Sequence, residues 1–97
     1  MDKIEDKYFK ALADHFINLI EEKGLDVADI AAAANVNRKQ IYRLINKENI
    51  PKLSTLIKIG LATGIEPNIL FDFKFDYKKY MLESGIYTAI KKTKKDA

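Results

Sequence analysis

The sequence contains no cysteine, which excludes both disulfide cross-links and thiolate metal sites. It has a single histidine, His15, so no centre needing two imidazoles can form. No apolar run approaches the ~20 residues with which a helix spans a bilayer. The start, Met1-Asp2-Lys3-Ile4-Glu5-Asp6-Lys7, is rich in charge and lacks the apolar stretch of a signal peptide. These absences set the expectation of a cytoplasmic protein with no metal and no cofactor. Catalytic machinery is missing as well. Asp14, Glu21 and Glu22 are carboxylates on a helix surface with no nucleophile or metal partner in the pattern, so an enzyme is not expected.

What remains describes an ordinary globule. The 97 residues suit one hydrophobic core, and 47% hydrophobic with 32% charged residues lies outside the range of disordered chains. The net charge of +3 is unevenly spread. Residues 1–24 carry two more acids than bases, whereas residues 25–70 and 71–97 are both basic. Within residues 36–58, Arg38, Lys39, Arg43, Lys47, Lys52 and Lys58 face one acid, Glu48. An excess of that sign over so short a stretch suits a phosphate backbone, although a solvated basic helix face gives the same count.

Apolar spacing divides the chain into helices. From about Asp2 to Lys23, the residues Ile4, Tyr8, Leu12, Phe16, Leu19 and Ile20 recur at three and four, widened by Phe9, Ala13 and Ile17. Gly24 ends this helix, and His15 at the stripe's edge reads as a packing residue. Asp26 has the chemistry of an N-cap for a short helix, Val27 to Ala34. Asn35, tolerant of positive φ, then makes a tight turn with Val36, and Asn37 caps a second short helix running to Ile45. Two short helices so joined must cross steeply, with Ala31 and Ala32 allowing close approach and Val36, Ile41 and Leu44 plugging the junction. Asn46 to Ile50 and Pro51 form a polar loop. A fourth helix covers Leu53 to Leu61 and ends near Gly64. Pro67 opens a fifth, with Ile69, Leu70 and Phe71 on its buried face.

The joint spacing of Ile30-Ala31, Val36, Ile41, Leu44, Pro51 and the closing LATGIEPNIL resembles the Cro and phage-repressor (XRE-like) helix-turn-helix family over Leu19 to Phe71. The resemblance implies an all-α, five-helix lambda-repressor-like domain at residues 1–71 and a C-terminal extension at 72–97. It further implies a DNA-binding regulator whose second short helix enters the major groove. Three positions depart from the family pattern. Val27 stands where many relatives carry glutamine, Asn35 where many carry glycine, and Ile45-Asn46-Lys47 where many carry Glu-x-Gly. At the last of these a lysine charge is expected to replace the helix-terminal geometry.

Helix geometry turns Arg38, Lys39, Tyr42 and Arg43 outward, and the resemblance places them on base-reading positions. Arginine can bond guanine O6 and N7 bidentately, which makes Arg38 and Arg43 the expected main readers. Asn37, Gln40, Lys47, Asn49 and Lys52 are expected on phosphates, contacts that set register without reading sequence.

Beyond the fifth helix, Phe71-Asp72-Phe73-Lys74-Phe75-Asp76-Tyr77 alternates apolar and polar residues strictly. That is strand periodicity, and a lone strand needs a partner such as a two-fold related copy. Phe73, Phe75 and Tyr77 are therefore expected to mediate dimerisation, the alternative being that they cover the core as an extended arm. Tyr80, Met81, Ile86, Tyr87 and Ile90 suit a further amphipathic element broken at Ser84-Gly85. Lys91 to Lys95 reads as a disordered end that attracts DNA non-specifically. The leading expectation is a homodimeric transcriptional regulator, a repressor, that binds duplex DNA in a sequence-specific manner. Its rival is a protein of the same fold that works through a protein partner, as an antitoxin does.

Overall fold

The computed structural model describes residues 5–89, and they are helical and irregular with no strand among them. Six helices follow in order: α1 Lys7–Lys23, α2 Val27–Ala34, α3 Arg38–Ile45, α4 Leu53–Ala62, α5 Pro67–Leu70 and α6 Tyr77–Ser84. Ile4, Ile90 and the lysines from Lys91 to Lys95 lie outside the described residues.

Helix α1 starts later than its apolar stripe suggests. The Asp6 carboxylate accepts from the backbone N–H groups of Tyr8 and Phe9, at 2.9 and 3.2 Å. That bond fixes Asp6 as the cap and leaves Glu5 outside the helix. A side-chain acceptor that satisfies leading N–H groups outweighs one more turn of favourable spacing. Gly24 closes α1 in the left-handed conformation at φ 65°, where its N–H bonds the carbonyls of Ile20 and Glu21.

Leu12, Ala13, Phe16 and Ile20 of α1 are buried, and they meet Ile30, Ala31 and Ala34 of α2 and Ile41 and Leu44 of α3. Leu56 and Ile59 of α4, Ile65 and Leu70 complete the core. Helix α2 packs on α3 and α4, and α1 braces α3 and α5. Full burial of a side chain such as Phe16 or Leu44 is worth roughly 1.5–3 kcal/mol, so α3 is anchored chiefly through Ile41 and Leu44, with Ile45 partly buried against the core. Among the described residues Thr63 is the one buried polar residue, and its hydroxyl donates to the Gly60 carbonyl at 2.6 Å and is thereby satisfied. Gly60 sits at a close approach, where a Cβ would lie 3.2 Å from the Ile65 carbonyl oxygen, tighter than ordinary van der Waals contact.

The tail departs from the strand expectation. Residues 71–76 carry no ladder, and burial nonetheless alternates, with Phe71, Phe73 and Phe75 half-buried and Asp72, Lys74 and Asp76 exposed. The partner that the alternation demands is α1 of the same chain. Tyr8 holds the rings of Phe73, Phe75, Tyr77 and Tyr80 within 5.3, 5.1, 6.1 and 6.4 Å. Tyr77, assigned to the strand by its spacing, is the first residue of α6, because the Asp76 carboxylate accepts from the Lys79 N–H at 3.1 Å and caps a helix there. Gly85 ends α6 at φ 69°.

Helix α6 has no buried residue, so its attachment is polar and aromatic. The Tyr80 hydroxyl donates to Asp6 Oδ2 at 2.6 Å, and the Lys7 ammonium pairs with Glu83 at 2.8 Å. The Tyr80 hydroxyl, helped by the N–H groups of Phe9 and Tyr8 and opposed by partial desolvation, holds the Asp6 carboxyl below the usual carboxylate range. His15 is a packing residue, with Nε2 3.0 Å from the Ile69 carbonyl oxygen and its ring 5.1 Å from Phe73.

Candidate DNA interface

The interface is set by the turn between α2 and α3. Asn35 takes the left-handed conformation, φ 57° and ψ 46°, and its N–H and that of Val36 bond back to the carbonyls of Ala32 and Ala31. This ends α2 in a single residue and starts α3 three positions later. Asn37 then caps α3. Its Oδ1 accepts from the Lys39 N–H at 2.9 Å, and Gln40 Oε1 accepts from the Asn37 N–H at 3.2 Å. The reciprocal bonds form a capping box and consume one oxygen on each side chain. Both side-chain NH₂ groups stay available as donors, which is what a phosphate contact requires.

Along α3 the two faces separate completely. Ile41 and Leu44 are 0% and 1% exposed, whereas Arg38, Lys39, Tyr42 and Arg43 all face solvent. Arg38 and Tyr42, and likewise Lys39 and Arg43, stand one turn apart and form two adjoining rows. The helix contains no acidic residue. Its outer face therefore presents two guanidinium groups, one ammonium and one phenol, with the backbone held from behind.

Two hollows flank this face. One, of about 440 Å³, lies along the turn and is lined by Ala28, Ala32, Asn35, Val36, Asn37 and Arg38, among others. The other, of about 280 Å³, lies between α3 and the start of α4 and is lined by Gln40, Arg43, Asn49, Pro51, Lys52 and Thr55, together with Ile50. Four of the expected DNA-contacting residues thus converge on one groove. Thr55 joins them without having been singled out in the sequence. It is the third residue of α4, whose start bears no side-chain cap, so leading N–H groups there remain unbonded by side chains. Its signal in the sequence was its place just after Pro51-Lys52.

Lys47 is not in that groove. It sits at φ 60°, with the Lys47 N–H bonded to the Leu44 carbonyl at 3.0 Å and the Glu48 N–H to the Arg43 carbonyl at 2.8 Å. This is the left-handed closure that glycine usually provides, so the helix-terminal geometry is kept rather than replaced by a charge. The lysine ammonium turns to α1 and pairs with Asp14 Oδ1 at 2.6 Å. The aromatics expected to dimerise are likewise engaged within the chain, around Tyr8, although Tyr77 remains 52% exposed.

Among the described residues, no helix is long and apolar enough to cross a membrane. Comparison with curated proteins and with solved structures finds no match. A family model described as helix-turn-helix matches residues 17–70, which takes in α2 to α5, the tight turn, the capped outward-facing α3 and the second half of α1. That match covers more than half of the chain, and the family is one of DNA-binding regulators rather than enzymes. The chain belongs to the Cro/C1-type, XRE-like helix-turn-helix family of DNA-binding regulators.

Proposed function

We propose that this protein is a sequence-specific transcriptional repressor that reads the major groove of duplex DNA with α3, as a homodimer. The observation that carries this reading is the division of α3, with Ile41 and Leu44 sealed in the core and Arg38, Lys39, Tyr42 and Arg43 all outward. Arg38 and Arg43 read guanine edges, while Lys39 and Tyr42 add secondary base contacts. Asn37 and Gln40 hold the helix to one phosphate through their free NH₂ groups. Asn49 and Lys52, beside the uncapped start of α4, hold another. Lys47 joins them only after leaving Asp14. Dimerisation is assigned to the C-terminal extension. Phe73 and Phe75 are spent on Tyr8, so Tyr77 is the member of the aromatic trio with surface to offer a second copy.

Selection from a randomised duplex pool by the purified protein at near-physiological salt tests the proposal. The expected product is an inverted repeat with half-sites about one helical turn apart. Enrichment of no motif, with only weak salt-sensitive binding, would sink it. A second reading, an interaction protein such as an antitoxin, draws support from the exposure of Leu82, Ile86 and Tyr87 at the end of α6. Replacing both Arg38 and Arg43 by alanine separates the two readings, because only the first makes sequence selectivity depend on them.

A further inference from the structure

The basic count over residues 36–58 overlooks an acid that the fold brings to it. Asp14 lies on α1, outside that window, yet its carboxylate oxygen stands 2.6 Å from the Lys47 ammonium. Lys47 is the residue at which the chain leaves the recognition helix, held there by the bonds from its own N–H to Leu44 and from the Glu48 N–H to Arg43. Two residues further on, Asn49 lines the groove with Arg43 and Lys52. The lysine is thus rooted beside the proposed phosphate site while its charge is spent elsewhere.

We propose that Asp14 is a built-in competitor for the DNA backbone: it holds Lys47 in an ion pair and so keeps the lysine off the phosphate in the wild-type complex. This rests on the DNA-binding reading above and specifies how one of its contacts is regulated. Both partners are accessible, with 61% of the Asp14 side chain and 32% of the Lys47 side chain exposed. The pair therefore opens without any unfolding. Phosphate and carboxylate are both anionic oxygen ligands for an ammonium, so a phosphate offers little that the carboxylate already in place does not. In that balance Lys47 adds little to affinity while Asp14 is present. The consequence is a protein whose hold on the backbone is one contact weaker than its basic residues suggest.

The test is duplex affinity measured across a salt series for four proteins: wild type, Asp14→Asn, Lys47→Met and the double variant. A fifth, Glu22→Gln, makes the same change of charge elsewhere on α1. Each phosphate contact adds about 0.9 to the slope of log affinity against log salt. We expect Asp14→Asn to steepen the slope by about that amount and to raise low-salt affinity several-fold. Lys47→Met should leave the wild-type slope nearly unchanged, and in that background Asp14→Asn should have no effect. Glu22→Gln should not reproduce the gain.

An unchanged slope in Asp14→Asn would overturn the proposal, as would an equal gain in the Lys47→Met background, which would mean that Asp14 acts by general repulsion. A slope that falls by about 0.9 in Lys47→Met alone would show that the lysine already contacts phosphate, and this too would overturn it. Wild-type protein that binds no duplex at any salt would remove the DNA reading itself, a result distinct from all of these.

Discussion

Two positions, two residues apart, should respond to glycine with opposite sign. Ala33 is exposed in the last turn of α2, and Asn35 is the exposed left-handed residue that ends the helix at φ 57°. At a helical position glycine is less favourable than alanine by about 0.8–1 kcal/mol, because more backbone freedom is lost. In the left-handed region a Cβ crowds the following carbonyl oxygen, at roughly 1–2 kcal/mol for an ordinary residue. Glycine escapes that cost but gives back about 0.4–1 kcal/mol of unfolded-state entropy. The net preference at Asn35 is therefore for glycine over alanine, by about 1 kcal/mol. Ala33→Gly should lower stability by about 1 kcal/mol. Asn35→Ala should lie below Asn35→Gly by a similar margin, with wild type between them or near the glycine variant. In a chain of this size 1 kcal/mol corresponds to about 4–8 °C in Tm, well within reach of thermal melts followed by circular dichroism. The two alanine–glycine differences must have opposite signs. If alanine is the more stable residue at both positions, the turn does not use a left-handed residue at Asn35 and the α2–α3 crossing derived from it is wrong.

Other consequences can be checked independently. Arg38→Ala and Arg43→Ala should each reduce discrimination between cognate and altered duplexes by ~1–3 kcal/mol, with Tm little changed because both side chains lie outside the core. Loss of folding in either variant would contradict the outward placement. The Asp6 carboxyl is held below its usual value of 3.8 chiefly by the Tyr80 hydroxyl, so the folded state binds that proton less readily than the unfolded one. Its contribution is then fully present above pH 3.8 and is lost as pH falls through the lower folded value. Tyr80→Phe should flatten this part of the acid limb in stability–pH curves, and identical curves would refute the link. Phe73→Ala should cost ~1–3 kcal/mol by stripping half-buried aromatic contacts from Tyr8 and His15. A variant of unaltered stability that changes only its oligomeric state would return Phe73 to a dimer interface.

The five-helix frame was legible because its punctuation is local. Asp26, Asn35 and Asn37 act through side chains or backbone angles within three residues of themselves, and all three do what their chemistry suggests. The core was legible for the same reason, since Leu12, Phe16, Ile20, Ile41 and Leu44 follow the helical period closely. The start of α1 was not, because the stripe continues past the point where Asp6 stops the helix. Lys47 illustrates a different limit. That this position needs positive φ could be inferred from the resemblance, but the destination of the side chain depends on Asp14, which only the packing of α1 against α3 brings near.

The tail shows why periodicity alone underdetermines structure. Alternation at Phe71, Phe73 and Phe75 states that one side of an extended segment is covered, and the observed burial honours it. It does not state what provides the cover. A sheet partner would satisfy backbone and side chains together, whereas α1 covers only the side chains, and local turns take up part of the backbone, with the Asp72 N–H bonded to the Ile69 carbonyl and the Phe73 N–H to that of Phe71. The decision lies at two residues. Tyr8 offers a ring large enough to receive four others, and Asp76 caps a helix immediately after the alternating stretch, which takes Tyr77 into α6. With Phe73 and Phe75 so engaged, a dimer contact made by the C-terminal extension, as proposed above, falls to the exposed Tyr77, Leu82, Ile86 and Tyr87 rather than to the alternating segment.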